Sequence, residues 1–355
     1  MPFGYAMSRV QNTLRIWSTR DPLPTAFAEA WRARMSRAPH GNFSMQLPYL
    51  EWEGKHGQHA LAVLVDEGQR AGAVVLREQA GEWHSGWPWR WQCVIEDASR
   101  DGRVGVTPEE ARWLFERACV AAGGKRLRFF APYPPAGNRP GFMAGGTLVQ
   151  LLEHDDKSVL MAMDPTKRRT VRRARESGCE VVEATTPELW KAFAEVQVET
   201  KRRHGEIVDN VVDDPAPGEF WREWELPWMW LLVAVREGRV VSGFGLGLSA
   251  GGMVEGRTSA TGEEGRKIGA FPLLVYEASI RARDRGYRWH NNGGDTFFKR
   301  DMLGKLAERV EIHCWLGGGA LWTLPNHGEA WGRATARRAR RLQKRVLAAR
   351  SAKPR

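Results

Sequence analysis

At 355 residues the chain exceeds what one hydrophobic core usually supports, so two domains are expected. With 42% hydrophobic and 27% charged residues it reads as an ordinary globular protein, and no apolar run approaches the roughly 18 to 20 residues of a bilayer-spanning helix. Net charge is +11, and ten of the positive charges fall after Glu329, where no acidic residue follows, so the remainder is close to neutral.

In chain order, the opening MPFGYAMSRVQNTLRIW has no continuous apolar stretch and no small-residue cleavage site, and a cytoplasmic protein is expected. A helix-like stretch from Ala26 to Arg37 comes next. Strands follow at His59 to Val65 and Ala71 to Arg77, joined by a Glu67-Gly68 turn. A third strand rich in Trp87, Trp89 and Trp91 leads to a helix from Pro108 to Ala122, stopped by Gly123-Gly124, and to a strand from Leu127 to Ala131. Thr147 to Leu152 reads as a closing strand, and Asp164-Pro165 as the N-cap and first residue of a new helix.

The same order then returns. A helix from Pro187 to Arg203 precedes a hairpin of Trp230 to Arg236 and Val240 to Leu248 about Glu237-Gly238, and a strand from Met253 to Ser259. The helix Pro272 to Arg285 ends at Gly286, and a strand follows from Tyr287 to Asn291. Proline at the start and glycine at the end of each helix is the asymmetry of true helix ends. The expectation is a mixed α/β (α+β) protein of two repeated units, residues 1–155 and 156–330, each a mainly antiparallel sheet flanked by helices, followed by a basic C-terminal helix or tail, 331–355. That tail, with Arg338 and Arg341, is a handle for a polyanion, nucleic acid first and an anionic membrane surface second. Cys93, Cys119, Cys179 and Cys314 form no C-x-x-C pair and read as reduced, mostly buried thiols, so neither a disulfide framework nor a metal is expected.

The sharpest feature is KRRTVRRARESG, where Lys167, Arg168, Arg169, Arg172, Arg173 and Arg175 crowd one short helix. Arg168 with Arg172, and Arg169 with Arg173, are i, i+4 pairs of like charge that oppose helix formation by roughly a few tenths of a kcal/mol each. An anionic partner reverses that sign.

The pattern R-x-x-R-R-A-x-x-x-G, carried by Arg169, Arg172, Arg173, Ala174 and Gly178, resembles the opening of the second unit in the FemAB/FemX family of tandem GNAT-fold acyltransferases. VETKRRHG, with Thr200 and Arg203, is similar to that family's T-x-x-R. The stretch from Phe271 to Leu306 is similar to its helix, Gly stop, strand, glycines and aromatic-Lys motif. Near the start, Gln46, Tyr49 or Trp52, and Lys55 are similar to its early segment, with spacing shifted by one or two positions around Gln46.

The resemblance implies two tandem GNAT-like domains that form an amide bond, moving an aminoacyl group from a charged tRNA to the amine of a peptide, a cell-wall precursor or a natural-product acceptor. No cofactor is implied. Phe298-Lys299 matches the pair that faces the tetrahedral oxyanion, and a donor aimed at such an oxyanion contributes about 3 kcal/mol. Asp295 and His290 are candidate bases near Lys299. Lys167, Arg168, Arg169, Arg172, Arg173, Arg338 and Arg341 would hold the tRNA. Lys55 and Arg203 would grip acidic groups of the acceptor, and Trp228 and Trp230, with Trp221 and Trp224, read either as core packing or as rings that stack on bases or line an apolar acceptor pocket.

Two rivals stand beside this reading. An acyl-CoA donor would need the pyrophosphate loop Q/R-x-x-G-x-G/A, here Arg266 to Phe271, in which Phe271 replaces the last small residue and Pro272 lacks an amide. A non-catalytic RNA-binding protein on the same fold would not need Lys299.

Overall fold

A computed structural model describes residues 13–38, 40–68, 70–88, 90–96, 106–135, 141–204 and 224–318. Trp89, Trp221, Arg338, Arg341 and the rest of the basic tail lie outside these described residues.

The first half runs β1 (Thr13–Ser18), α1 (Thr25–Arg37), α2 (Leu47–Lys55), β2 (Ala60–Glu67), β3 (Arg70–Gln79), β4 (Glu82–Trp87), β5 (Arg90–Trp91), β6 (Cys93–Ile95), α3 (Pro108–Ala121), β7 (Leu127–Ala131) and β8 (Gly141–Leu151). The second runs α4 (Asp156–Ala162), α5 (Pro165–Glu176), β9 (Glu180–Glu183), α6 (Pro187–Arg203), β10 (Met229–Arg236), β11 (Arg239–Leu248), β12 (Met253–Thr261), α7 (Glu263–Ile268), α8 (Ala270–Asp284), β13 (Trp289–Gly294), α9 (Phe297–Leu303) and β14 (Ala307–Gly317). The chain is a mixed α/β protein with a large sheet flanked by helices, as the repeated element order predicts.

The local signals act as expected at several ends. Asp164 accepts from the Thr166 amide at 2.8 Å and Pro165 opens α5. Thr107 and Glu110 make a reciprocal capping box on α3. Glu237 and Gly238 both have positive φ, +49° and +72°, the conformation that matches a two-residue hairpin turn to strand twist. Expectation missed β1, α2, α7, α9 and β14.

One sheet path runs β1-β2-β3-β4-β7-β14-β8-β13-β12-β11-β10-β9, with β5 on β4 and β6 on β3. Its parallel ladders among the described residues are β4 with β7 and β12 with β13, each formed across a helical crossover. β8 lies between β14 and β13, and β14 between β7 and β8. Each half therefore takes a strand from the other, and the ladder runs through the expected unit boundary near residue 155.

Packing links the halves as well. Phe43 and Tyr49 of the first half join Trp190, Phe193, Trp224 and Trp228 in one buried cluster. The Gln46 amide donates to the Leu248 carbonyl. Arg90 and Glu255 form a buried ion pair between β5 and β12, with the guanidinium 5.0 Å from the Phe43 ring centroid.

Candidate active site

β12 and β13 pair over only three positions, Met253 with Trp289, Val254 with His290 and Glu255 with Asn291. Beyond them the strands part. β12 slips register against β11 at Gly245/Leu246, and β13 slips against β8 between Asn291 and Gly294. Gly293 takes a φ of +74° within that slip. The Asn292 carbonyl is thereby released from the ladder to accept from Lys299 Nζ at 2.5 Å.

Lys299 is fixed from its own side too. It lies in the first turn of α9, where its amide donates to the Thr296 hydroxyl at 3.3 Å. The side chain is half-buried, and burial lowers its pKa below the ordinary lysine value. A side-chain carbon at position 293 would only touch the ammonium, at 3.4 Å, so it is the positive φ that favours glycine there.

The parting opens into a groove of about 530 Å³. Lys167 and Arg173 reach it from α5, Arg203 from α6, Arg266 from α7 and Lys299 from α9. Among the described residues no carboxylate lines it, and none of these five cations has an ion pair. Cations just outside behave differently: Arg175 pairs with Glu277 at 2.7 Å, and Arg309 with Asp295 at 2.7 Å. An uncompensated cluster of this kind is a binding surface for an anion.

The T-x-x-R of α6 has a physical reading. Thr200 and Arg203, one turn apart on the same face, both donate to the Thr261 carbonyl, at 3.1 and 2.9 Å. They tie the helix end to the last residue of β12. Thr170, Ser259 and Thr261 also line the groove and were not anticipated, because isolated hydroxyls carry no spacing signature.

Aromatic rings form the apolar wall. Phe298 stacks on Phe271 at 6.2 Å and an interplanar angle of 13°, and Lys167 Nζ sits 4.4 Å above the Phe298 ring centroid. The α7–α8 junction turns on Gly269, whose φ is +82°; a side-chain carbon there would lie 1.9 Å from Thr170, so glycine lets α5 close against it. Arg266 and Gly269 spend their amides on Gly262 and Gly265 carbonyls, and Pro272 has none. Anion binding in this segment falls mainly to side chains.

Asp295 and His290 are poor proton acceptors. The Arg300 and Arg309 guanidinium groups hold the Asp295 carboxylate and keep its pKa below the usual range. They bind it as a clamp between α9 and β14. His290 is fully buried, and burial together with the Lys299 charge lowers its pKa to about 3. Its Nδ1 lies 3.4 Å from the Ser279 hydroxyl. Asp295→Asn should lower kcat by about tenfold or more by loosening α9, without removing either limb of the pH–rate profile; steady-state kinetics across pH checks this.

The structure thus brings Lys167, Arg173, Arg203, Phe298 and Lys299 to one groove. Arg169 and Arg172 are exposed on α5 and do not line the groove, and Arg168 Nη1 lies 3.1 Å from Met161 Sδ. Lys55 is exposed at the end of α2 and does not line the groove. Trp228 and Trp230 need correction as acceptor contacts. Trp230 is in β10, an interior strand covered on both faces, and the two rings are only 8% and 2% exposed.

Residues 165–300 match the family model of an acetyltransferase (GNAT) domain. Among solved structures, FemX aligns over 86% of this chain and 98% of its own, with 13% identity and a TM-score of 0.60. A conserved protein of unknown function from Bacteroides thetaiotaomicron aligns over 84% of this chain and 98% of its own, with 11% identity and a TM-score of 0.51. No curated protein matches the chain. The fold is FemX-like and of GNAT type, and the domain match supports an acyltransferase.

Proposed function

We propose that the chain forms amide bonds by aminoacyl transfer from a charged tRNA to an amine, with Lys299 stabilising the oxyanion. The observation that carries this reading is the half-buried Lys299 ammonium, held by the Asn292 carbonyl where β12 and β13 part. Attack of an amine on the ester carbonyl places negative charge on one oxygen. An ammonium fixed beforehand meets that charge without reorganising. Phe298 and Phe271 give the groove an apolar wall on one side.

In this reading Lys167 and Arg173 face the donor's phosphates, with Arg168, Arg169 and Arg172 along the same helix and Arg338 and Arg341 in the tail. Arg203 faces an acidic group of the acceptor, and Lys55 stands farther out. Asp295 positions α9 rather than moving a proton. The units 1–155 and 156–330 remain the proposed division, with donor chemistry in the second.

Unneutralised groove cations would also suit the phosphates of CoA, and the acetyltransferase domain match favours that second reading. Against it stand the bulk of Phe271 and the missing amide of Pro272. Excess CoA should leave tRNA-dependent amide formation unchanged. Inhibition that rises with CoA to completion would show that the groove takes CoA in place of the tRNA end, as an acyl-CoA donor site would.

Salt dependence tests the phosphate contacts separately. Affinity for charged tRNA should fall steeply with ionic strength, and Arg169→Gln with Arg172→Gln should reduce the log–log slope by roughly 1 to 2. Filter binding at several salt concentrations measures it, and an unchanged slope would remove that face of α5 from the donor site.

A further inference from the structure

Beside the groove mouth, three apolar side chains stand in solvent and each carries its own cation. Phe297 is 82% exposed, Met161 57% and Phe298 44%. The Arg300 guanidinium lies 5.5 Å from the Phe297 ring centroid, Lys167 Nζ 4.4 Å from that of Phe298, and Arg168 Nη1 3.1 Å from Met161 Sδ. Phe297 and Phe298 are neighbours on α9, and Lys167 and Arg168 are neighbours on α5. The Asp164 amide donates to the Asp301 carbonyl at 2.9 Å and holds the start of α5 against α9. The three pairs therefore belong to one surface formed by α4, α5 and α9.

We infer that this surface docks on an anionic lipid bilayer. Exposed apolar groups interleaved with cations match a membrane interface in both of its properties, an apolar layer below and negative headgroups above. The acidic groups nearby do not cancel the match. Asp164 is occupied as the α5 cap and Asp295 is enclosed by Arg300 and Arg309, while the exposed Asp301 offsets one of the three cations and leaves two in excess. Single-stranded RNA could stack on the phenyl rings and pair with the cations. Phe297 and Met161, the two most exposed of the three, do not line the groove, whereas an apolar layer would take both together. No helix among the described residues is long and apolar enough to cross a membrane, so the contact is peripheral. Because Phe298 and Lys167 belong to both features, the docked groove opens toward the headgroups. The inference stands on the surface itself and does not depend on the identity of the acyl donor.

The test is co-sedimentation of the full chain with vesicles of phosphatidylglycerol and phosphatidylcholine, beside vesicles of phosphatidylcholine alone. The expected result is binding to the anionic vesicles, weakened about tenfold in a Phe297→Ser, Met161→Ser double variant whose circular dichroism is unchanged. Phe297→Trp should bind at least as tightly as the parent, since Trp favours the interface. The basic tail is common to all three proteins and drops out of the comparison. A parallel titration with a single-stranded oligoribonucleotide should give equal affinities for parent and double variant. Equal vesicle binding by parent and double variant overturns the inference. So does a loss confined to the oligonucleotide, which would assign the surface to RNA.

Discussion

Replacing Lys299 by Met should lower kcat/KM by about a hundredfold or more, and should change unfolding free energy by no more than about 1 kcal/mol. The asymmetry follows from what the ammonium touches. In the resting protein it makes one hydrogen bond, to the Asn292 carbonyl, and burial already penalises its charge. Methionine fills the same volume without that penalty, so stability is nearly conserved. In the transition state the loss is of a donor directed at developing negative charge, which methionine cannot replace. The pH profile carries an independent signature. Only the protonated amine can act, and its pKa is depressed, so the rate should fall with rising pH through a value below the ordinary lysine pKa of ~10.4. That basic limb should vanish in the Met variant. A limb that persists would belong to another group.

The second large effect concerns the joint between the halves. Arg90→Ala should destabilise the protein by about 3 kcal/mol, because it leaves Glu255 buried without its paired guanidinium and with the Arg257 charge alone to oppose the cost. Burial already raises the Glu255 pKa, and the Arg90 charge opposes that rise. Without Arg90 the folded-state pKa climbs further above the unfolded value of ~4.3. A raised pKa contributes stability below the unfolded value and loses it as pH rises through the folded one. The deficit of the variant should therefore be small in acid and grow toward neutral pH. Denaturant unfolding at pH 5 and pH 7.5 measures the difference. Arg90→Met combined with Glu255→Leu should recover most of the loss, since apolar residues of similar size remove the stranded charge.

The local vocabulary of the chain was readable where one residue dictates the backbone. Glu237-Gly238, Asp164-Pro165 and the glycines after the helices placed turns and helix ends correctly, because each acts within a few residues. Lys299 and Arg203 were singled out from motifs, and both line the groove. What escaped depends on distant partners. Nothing in AERVEIHCWLG announces that β14 will slot between β7 and β8, since strand order is decided by pairing far along the chain. Asp295 resembled a base until Arg309, fourteen residues later, was seen on its carboxylate. Trp228 and Trp230 suggested a pocket because they are aromatic and polar-edged, and the covering of β10 on both faces put them in the core. The Arg90–Glu255 pair spans 165 positions and has no sequence signature.

The most direct measurement follows a label on the transferred group, with charged total tRNA in one tube, acetyl-CoA in another, and the parent protein beside Lys299→Met in each. The account predicts amide-bound label from the charged tRNA alone, reduced about a hundredfold or more in the variant. Label arriving only from acetyl-CoA, or equal transfer by parent and variant, would contradict it.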